Sequence, residues 1–143
     1  SLYLHILRGT LTVLLYRYGE LYAKNPAEKL IFRLCLQDKA RHLAYGMAHV
    51  KYATDSKGQD YSLSLLHLID SAEKDMALEF EDPILWEALA IVFGGGVDKM
   101  SVGSVIVRDL KQRYVGDYIR RMRWLGIDKT EDNLEPGLKQ YLQ

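Results

Sequence analysis

Residues 37–46 read QDKARHLAYG, and this stretch decides the fold. It lies in the middle of a long pattern in which apolar residues recur every three or four positions, as they do in an α-helix. It also places titratable side chains on the side of the helix that we expect to face the interior. Burying such groups is costly unless they bind a ligand or pair with one another. The stretch therefore predicts a helical scaffold with a polar site, and it does not name a reaction.

The composition of the chain fits one globular domain of 143 residues, with 48% hydrophobic and 27% charged residues. Nineteen basic residues balance nineteen acidic ones, so no net field favours nucleic acid or a membrane. The single cysteine, Cys35, excludes an internal disulfide and a cysteine-based metal site, and we interpret it as a packed thiol. No apolar run reaches the roughly 18 residues of a membrane span. We therefore expect a cytoplasmic protein without a membrane partner.

The chain predicts an all-α fold, because it has no period-two segment of any length. We expect one helical domain over 1–143, with helices over 3–24, 26–53, 61–80, 83–93 and 100–125, a polar loop over 54–60, and a tail over 127–143 with a short helix from Pro136. The clearest start signal is Asn25-Pro26-Ala27-Glu28, which combines an N-cap, a proline at the first helical position and a capping glutamate. Because the helical pattern is already present at Tyr3, we expect a processed product or a fragment that lacks preceding helices.

Helical spacing also predicts the apolar faces of these helices. The predicted core positions are Leu4, Leu11, Leu15 and Tyr22; Leu65, Leu68, Ala72, Met76 and Phe80; and Val102, Ile106, Leu110, Tyr114, Tyr118, Met122 and Leu125. The segment 84–93 is apolar nearly all round, which is typical of a buried helix. The glycines at 94–96 lack the spacing of a phosphate-binding loop, so they predict a kink or a tight helix crossing. Gly126 is predicted to end the last long helix.

The second helix carries a titratable cluster. Projection at about 100° per residue places Arg33, Gln37, Arg41 and Lys51 on one solvated stripe, and Cys35, Lys39, His42, Gly46 and His49 on the opposite stripe. On the first helix Arg8 falls on the Leu4, Leu11 and Leu15 face. The short connection at Asn25 makes the two helices antiparallel, so residues whose numbers add up to roughly 50 lie at one height. We therefore predict one core layer that contains Arg8, Lys39 and His42.

The run from Asp38 to Gly46 resembles the last metal-ligand helix of the ferritin-like diiron-carboxylate superfamily. The familiar form there is Asp-Glu-Ala-Arg-His followed by small and aromatic residues, and Glu-x-x-His faces the interior of the bundle. Arg8-Gly9 falls where such proteins carry Glu-Gly. The segments Glu87–Ala90 and Tyr118–Gly126 are similar to the tail of one bacterial branch. The resemblance implies a ferritin-like helical bundle with extra C-terminal helices. The core hairpin 3–53 would be the second half of its four-helix core.

The same resemblance places His42 at the histidine-ligand position, and Arg8 and Lys39 at the two carboxylate positions. A ferrous or manganese pair needs several anionic oxygens, and these two residues are cations instead. We therefore expect no resident metal. If the site is functional, iron or manganese would bind there with His42 as a ligand. Two cations and a histidine in one layer predict a pocket for a small anion such as a carboxylate or phosphate. A buried ion-pair network with Asp38 is the structural alternative.

Three classes of function follow. The first is a metal-free ferritin-like binding or structural module, which we expect to be a homodimer because two hairpins related by a twofold axis rebuild a four-helix bundle. The second is a diiron or dimanganese oxidoreductase that uses ligands outside the visible motif. The third is a nucleic-acid binder through the basic helix 108–123. Acidic residues at 70–87 balance that helix, so two solvated helix faces are the simpler interpretation, and nucleic acid is not the expected partner.

Overall fold

The computed structural model describes residues 2–142, with side chains from residue 5 onward, and it confirms the all-α prediction. Its helices are α1 (Leu2–Tyr22), α2 (Pro26–Glu81), α3 (Pro83–Gly94), α4 (Met100–Trp124) and α5 (Pro136–Lys139). A single 3₁₀ turn, Val97–Lys99, precedes α4, and no strand occurs in the described residues. Ser1, Gln143 and the predicted core side chain of Leu4 lie outside the described part of the chain.

Local capping signals set most of the helix ends where the sequence predicts them. The side chain of Asn25 accepts a hydrogen bond of 2.8 Å from the backbone N–H of Glu28 at the start of α2. Asp82 does the same for Ile84 at the start of α3, at 3.0 Å. Gly126 follows α4 with a φ of 78°, a left-handed conformation that glycine adopts without steric cost.

The predicted polar loop over 54–60 is wrong, because α2 is helical on both sides of a single break at Gly58. This glycine has φ 77° and ψ −164°, and it divides α2 into a first segment, 26–57, and a second segment, 59–81. The polar residues before the break are compatible with a helix. Ser56 donates to the carbonyl oxygen of Tyr52 at 2.7 Å, and Lys51 pairs with Asp55 at 2.9 Å.

The run of three glycines forms a tight crossing, as predicted. Gly95 ends α3 with a φ of 94°, and the axes of α3 and α4 are bent by 96° at this turn. A side chain at Gly103 would overlap the backbone carbonyl of Ala90, so the two helices touch backbone to backbone. Within residues 2–142 no single helix is long and apolar enough to cross a membrane, although α3 and α4 taken as a bent pair reach the required length and composition.

The core lies where α1 packs against α2, α3 and α4. Ile6, Leu7 and Leu14 of α1 are buried, as are Leu110 and Tyr114 of α4. Two predicted core positions, Leu68 and Val102, are exposed instead, and so are Ile84 and Val92 in the segment 84–93 that is predicted to be a buried helix. Ile69 is fully buried in place of its neighbour Leu68. Because Ile84 and Val92 are exposed, α3 is covered on one side and open on the other.

A buried ion pair fastens the tail to the rest of the chain. Lys129 and Glu73 are both almost completely inaccessible, and the Lys129 ammonium lies 2.8 Å from a carboxylate oxygen of Glu73. Tyr118 donates its hydroxyl hydrogen to Glu73, and the backbone N–H of Glu135 donates to it at 3.1 Å. Lys129 also donates to the carbonyl oxygen of Asn133 at 2.8 Å. The partners of each charge offset the cost of removing it from water.

Two stacked tyrosines next to this network differ in one respect. The rings of Tyr114 and Tyr118 are nearly parallel, with centroids 6.1 Å apart. The Tyr118 hydroxyl has Glu73 as a partner, whereas the buried hydroxyl of Tyr114 has none within the described chain. Burial, followed by the nearby charge of Glu73, raises the pKa of both phenols well above the ordinary value of 10.0.

We expect Tyr118→Phe to lower the free energy of unfolding by about 1–3 kcal/mol, because it removes a hydrogen bond from a buried carboxylate. Tyr114→Phe is the matched control. It removes a hydroxyl group without a partner, so the stability at pH 7 should be unchanged or higher. Urea unfolding followed by circular dichroism measures both, and equal losses in the two variants would contradict the assignment of partners.

The same proteins should differ at high pH. A phenol whose pKa is raised in the folded state contributes stability that is complete below the unfolded value of 10.0 and is lost as the pH rises through the folded value. Tyr18 adds to this loss, because burial and then its hydrogen bond to Asp109 raise its pKa to about 12. As the pH rises from 9, the free energy of unfolding should therefore fall less for each phenylalanine variant than for the parent protein. Urea unfolding at a series of pH values measures this difference.

Candidate functional site

An open groove of about 530 Å³ lies between α1 and the first segment of α2. Arg8 lines it from α1, and Lys39 and His42 line it from α2. The structure thus brings together the three residues that the sequence places in one layer. The antiparallel packing explains why, since an added side chain at Gly9 would contact Leu43 and one at Gly19 would meet Phe32. The residue numbers of both pairs add up to roughly 50, as the antiparallel arrangement predicts.

Small residues create the depression. Gly9 on α1 and Gly46 on α2 both line the groove, and an added side chain at Gly46 would meet nothing within 4 Å. Between them, Ile6 and Leu43 are buried and form an apolar floor. Thr12 also lines the groove, but its hydroxyl already donates to the carbonyl oxygen of Arg8 at 2.8 Å. The groove therefore has an apolar base with polar side chains along its rim.

The predicted burial of this layer is wrong. The side chains of Arg8 and His42 are each 66% exposed, and Lys39 is exposed as well. The buried stripe of α2 contains Leu43, Met47 and Val50 instead. It is rotated by roughly a quarter turn from the predicted inward stripe, at about 100° per residue. The cause is that this segment carries apolar residues on both sides, so its sequence does not define a single inward direction.

The ion pairs at the rim leave one cation free. Arg8 lies 3.7 Å from Glu79 of the second segment of α2, and His42 Nδ1 lies 3.7 Å from Asp38. These are exposed pairs of the kind that stabilise a fold only slightly. Lys39 has no ion-pair partner within the described residues. Arg8 and Lys39 both line the groove, and of the two only Lys39 lacks an ion-pair partner among the described residues.

The lining of the groove has a distinct chemical character. It contains three imidazoles, His5, His42 and His49, in addition to the two cations, and none of the lining residues is acidic. The ring of His49 lies against that of Tyr45, with centroids 4.5 Å apart. In the described part of the chain, no three histidine, cysteine or acidic side chains are arranged to bind a metal ion. Divalent iron and manganese prefer sites with carboxylate oxygens, whereas this lining suits an anion.

The basic helix is less uniform than its sequence. Lys111 is half-buried, donates to the carbonyl oxygen of Phe80 at 2.7 Å, and lies 4.4 Å from the ring centre of Trp86. Burial lowers the pKa of this lysine. Arg121 is also half-buried, and Arg120 pairs with Asp117. Lys111, Arg120 and Arg121 therefore have separate structural environments, whereas Arg108, Arg113 and Arg123 are exposed.

The sequence reveals neither all of the site nor the buried ion pair. It does not place His5 at the groove, although His5 lies one helical turn before Gly9, which marks the close approach. Lys129 and Glu73 lie far apart in the chain, and neither forms a motif with its neighbours. No local signal distinguishes them from exposed charges. Comparisons with protein-family models, with curated proteins and with solved structures yield no match to this chain.

Because the three rim residues are exposed, their removal should hardly change the fold. We expect Arg8→Ala, Lys39→Ala and His42→Ala each to alter the free energy of unfolding by less than about 1 kcal/mol, the usual range for exposed charges. Leu43→Ala is the contrasting variant on the same groove. It should cost about 2–5 kcal/mol, because it removes a buried side chain. Urea unfolding measures these changes. A large loss of stability in any rim variant would instead support a buried ion-pair network that includes Asp38.

Proposed function

We propose that this chain is a ferritin-like helical binding module whose groove binds a small amphipathic anion. The observation that carries the proposal is the meeting of Arg8, Lys39 and His42 around an open, carboxylate-free groove with an apolar floor. Arg8 and Lys39 bind the anionic group, and the free ammonium group of Lys39 makes the first contact. The floor formed by Ile6 and Leu43 accepts the apolar part of the ligand.

The size of the groove supports this assignment. A volume of about 530 Å³ falls within the range of about 300–1,000 Å³ that is usual for sites of small ligands. A bare inorganic anion would leave the apolar floor in contact with water, and an uncharged hydrocarbon would leave the Lys39 ammonium group without a counter-charge. A carboxylate or phosphate on a medium-length alkyl chain satisfies both parts of the groove.

Isothermal titration calorimetry with four probes tests the proposal. Octanoate and octyl phosphate carry both features, inorganic phosphate carries only the charge, and octanol carries only the chain. We expect the two amphipathic anions to bind about tenfold or more tightly than the other two, since a charge-assisted hydrogen bond contributes about 1.5–3 kcal/mol. Comparison of the first two probes identifies the preferred anionic group.

Variants assign the binding to the groove. Arg8→Gln and Lys39→Gln should each weaken the binding of octanoate by about tenfold, because each removes one charge-assisted contact. Lys74→Gln, an exposed lysine on the second segment of α2, is the matched control and should leave binding unchanged. Equal affinity for octanol and octanoate would contradict the proposal, as would undiminished binding by the two groove variants.

The ferritin-like part of the proposal has a separate test. Arg8→Glu together with Lys39→Glu restores the carboxylates that the superfamily carries beside its histidine, at the positions flanking His42. We expect this double variant to bind Mn²⁺ with measurable affinity, because carboxylate and imidazole ligands suit that ion. Electron paramagnetic resonance of Mn²⁺ compares it with the parent protein and with a triple variant that adds His42→Ala. Absence of any gain in binding would count against the ferritin-like geometry.

A further inference from the structure

The side of α2 that faces away from α1 carries a second regular pattern. Its members are all exposed and follow one another at alternating intervals of three and four residues: Ile31, Leu34, Asp38, Arg41, Tyr45, Ala48 and Tyr52. We call this set the outer face. Its four large apolar side chains are between 56% and 75% exposed. Alternating three- and four-residue spacing is the pattern that joins two helices in a coiled coil.

The outer face lies opposite the intramolecular contact. At about 100° per residue, its mean direction is roughly half a turn from that of Leu43, Met47 and Val50, which face α1. No other described element covers it, since each of its residues is exposed in the chain as a whole. Large exposed apolar residues that lie along one side of a helix, here on both sides of the charged pair Asp38 and Arg41, are typical of an interaction surface.

We propose that the outer face binds the same face of a second copy of the chain, in an antiparallel pair with a twofold axis between residues 39 and 40. In this register Leu34 lies opposite the partner's Tyr45, and Ile31 lies opposite the partner's Ala48. By symmetry each contact occurs twice, as in all twofold interfaces. The inference concerns a different side of α2 from the one that forms the groove floor, and it does not depend on the proposed ligand.

Charge complementarity identifies the partner and its direction. Asp38 and Arg41 occupy the centre of the outer face, where they lie 3.8 Å apart within one chain. In the antiparallel register Asp38 meets the partner's Arg41, and Arg41 meets the partner's Asp38. A parallel pair in register would instead place like charges opposite each other, which opposes association. The order of the two charges therefore favours an antiparallel second copy.

The sizes of the side chains are complementary as well. Ala48 is small and would lie opposite the large Ile31 of the partner subunit, and Ala27 would lie opposite the partner's Tyr52. Both alanines are exposed in the single chain, so neither is needed for the intramolecular core. Pairing of large with small residues lets two helices approach closely along their length. Tyr45 borders both the outer face and the groove, so the second copy would stand beside the groove without filling it.

Charge reversal tests the central contact. Asp38→Arg alone and Arg41→Asp alone each place four like charges around the axis, and we expect both to be monomers by analytical ultracentrifugation at concentrations at which the parent protein is a dimer. The double variant Asp38→Arg with Arg41→Asp restores opposite charges and should be a dimer again. Lys74→Asp, an equal change of charge outside the outer face, is the control and should remain dimeric.

Cross-linking tests the register. In a Cys35→Ser background, Leu34→Cys combined with Tyr45→Cys should form a disulfide between two chains under mild oxidation. The two positions are about 16 Å apart within one helix, which is beyond the reach of an intramolecular disulfide. Each single-cysteine variant should remain uncross-linked, because equivalent positions lie a similar distance apart across the axis.

Three results would overturn the proposal. The first is a parent protein that remains monomeric at high micromolar concentration. The second is a dimer that survives both single charge reversals. The third is efficient cross-linking of either single-cysteine variant, since this would indicate a parallel pair or another register. None of these results bears on octanoate binding, so the two proposals can fail independently.

Discussion

The close approach of α1 to the first segment of α2 is the constraint on which the other features depend. Gly9 allows α1 to lie against Leu43, and Gly19 allows it to lie against Phe32. This contact determines which side of α2 is buried, and thereby the directions in which its remaining sides point. The rim of the groove lies to one side of the contact, and the outer face lies opposite. One side of α2 packs on α1. The helix therefore presents two other sides, the groove rim and the outer face, to different surroundings.

The features that the sequence predicts correctly are those with a local physical cause. Asn25 and Pro26 start a helix through their own backbone and side chain, and Gly126 ends one because it tolerates a positive φ. The triple glycine likewise allows the tight turn after α3, because Gly95 adopts a positive φ without steric cost. The antiparallel arrangement of α1 and α2 follows from the short connection between them. This arrangement brings Arg8 to the height of His42, as the sequence predicts.

The features that the sequence does not reveal depend on contacts between distant segments. The rotation of α2 about its axis is set by packing against α1, and the apolar residues on its outer face, such as Leu34 and Tyr45, obscure that direction in a projection. The break in α2 occurs only at Gly58, because the polar residues around it bond within the helix. Lys129 has the composition of a surface residue. Its burial becomes apparent only when Glu73 and Tyr118 are placed beside it.

The ion pair between Glu73 and Lys129 has a consequence for the order in which the protein is made. Glu73 is synthesised well before Lys129, and among the described residues no other cation lies as close to its carboxylate. A buried carboxylate without its counter-charge is strongly unfavourable. The second segment of α2 and α4 can therefore form their helices early, but packing them over Glu73 before Lys129 is in place is costly. The final packing of the core around Glu73 therefore depends on a residue that is added to the chain 56 positions later.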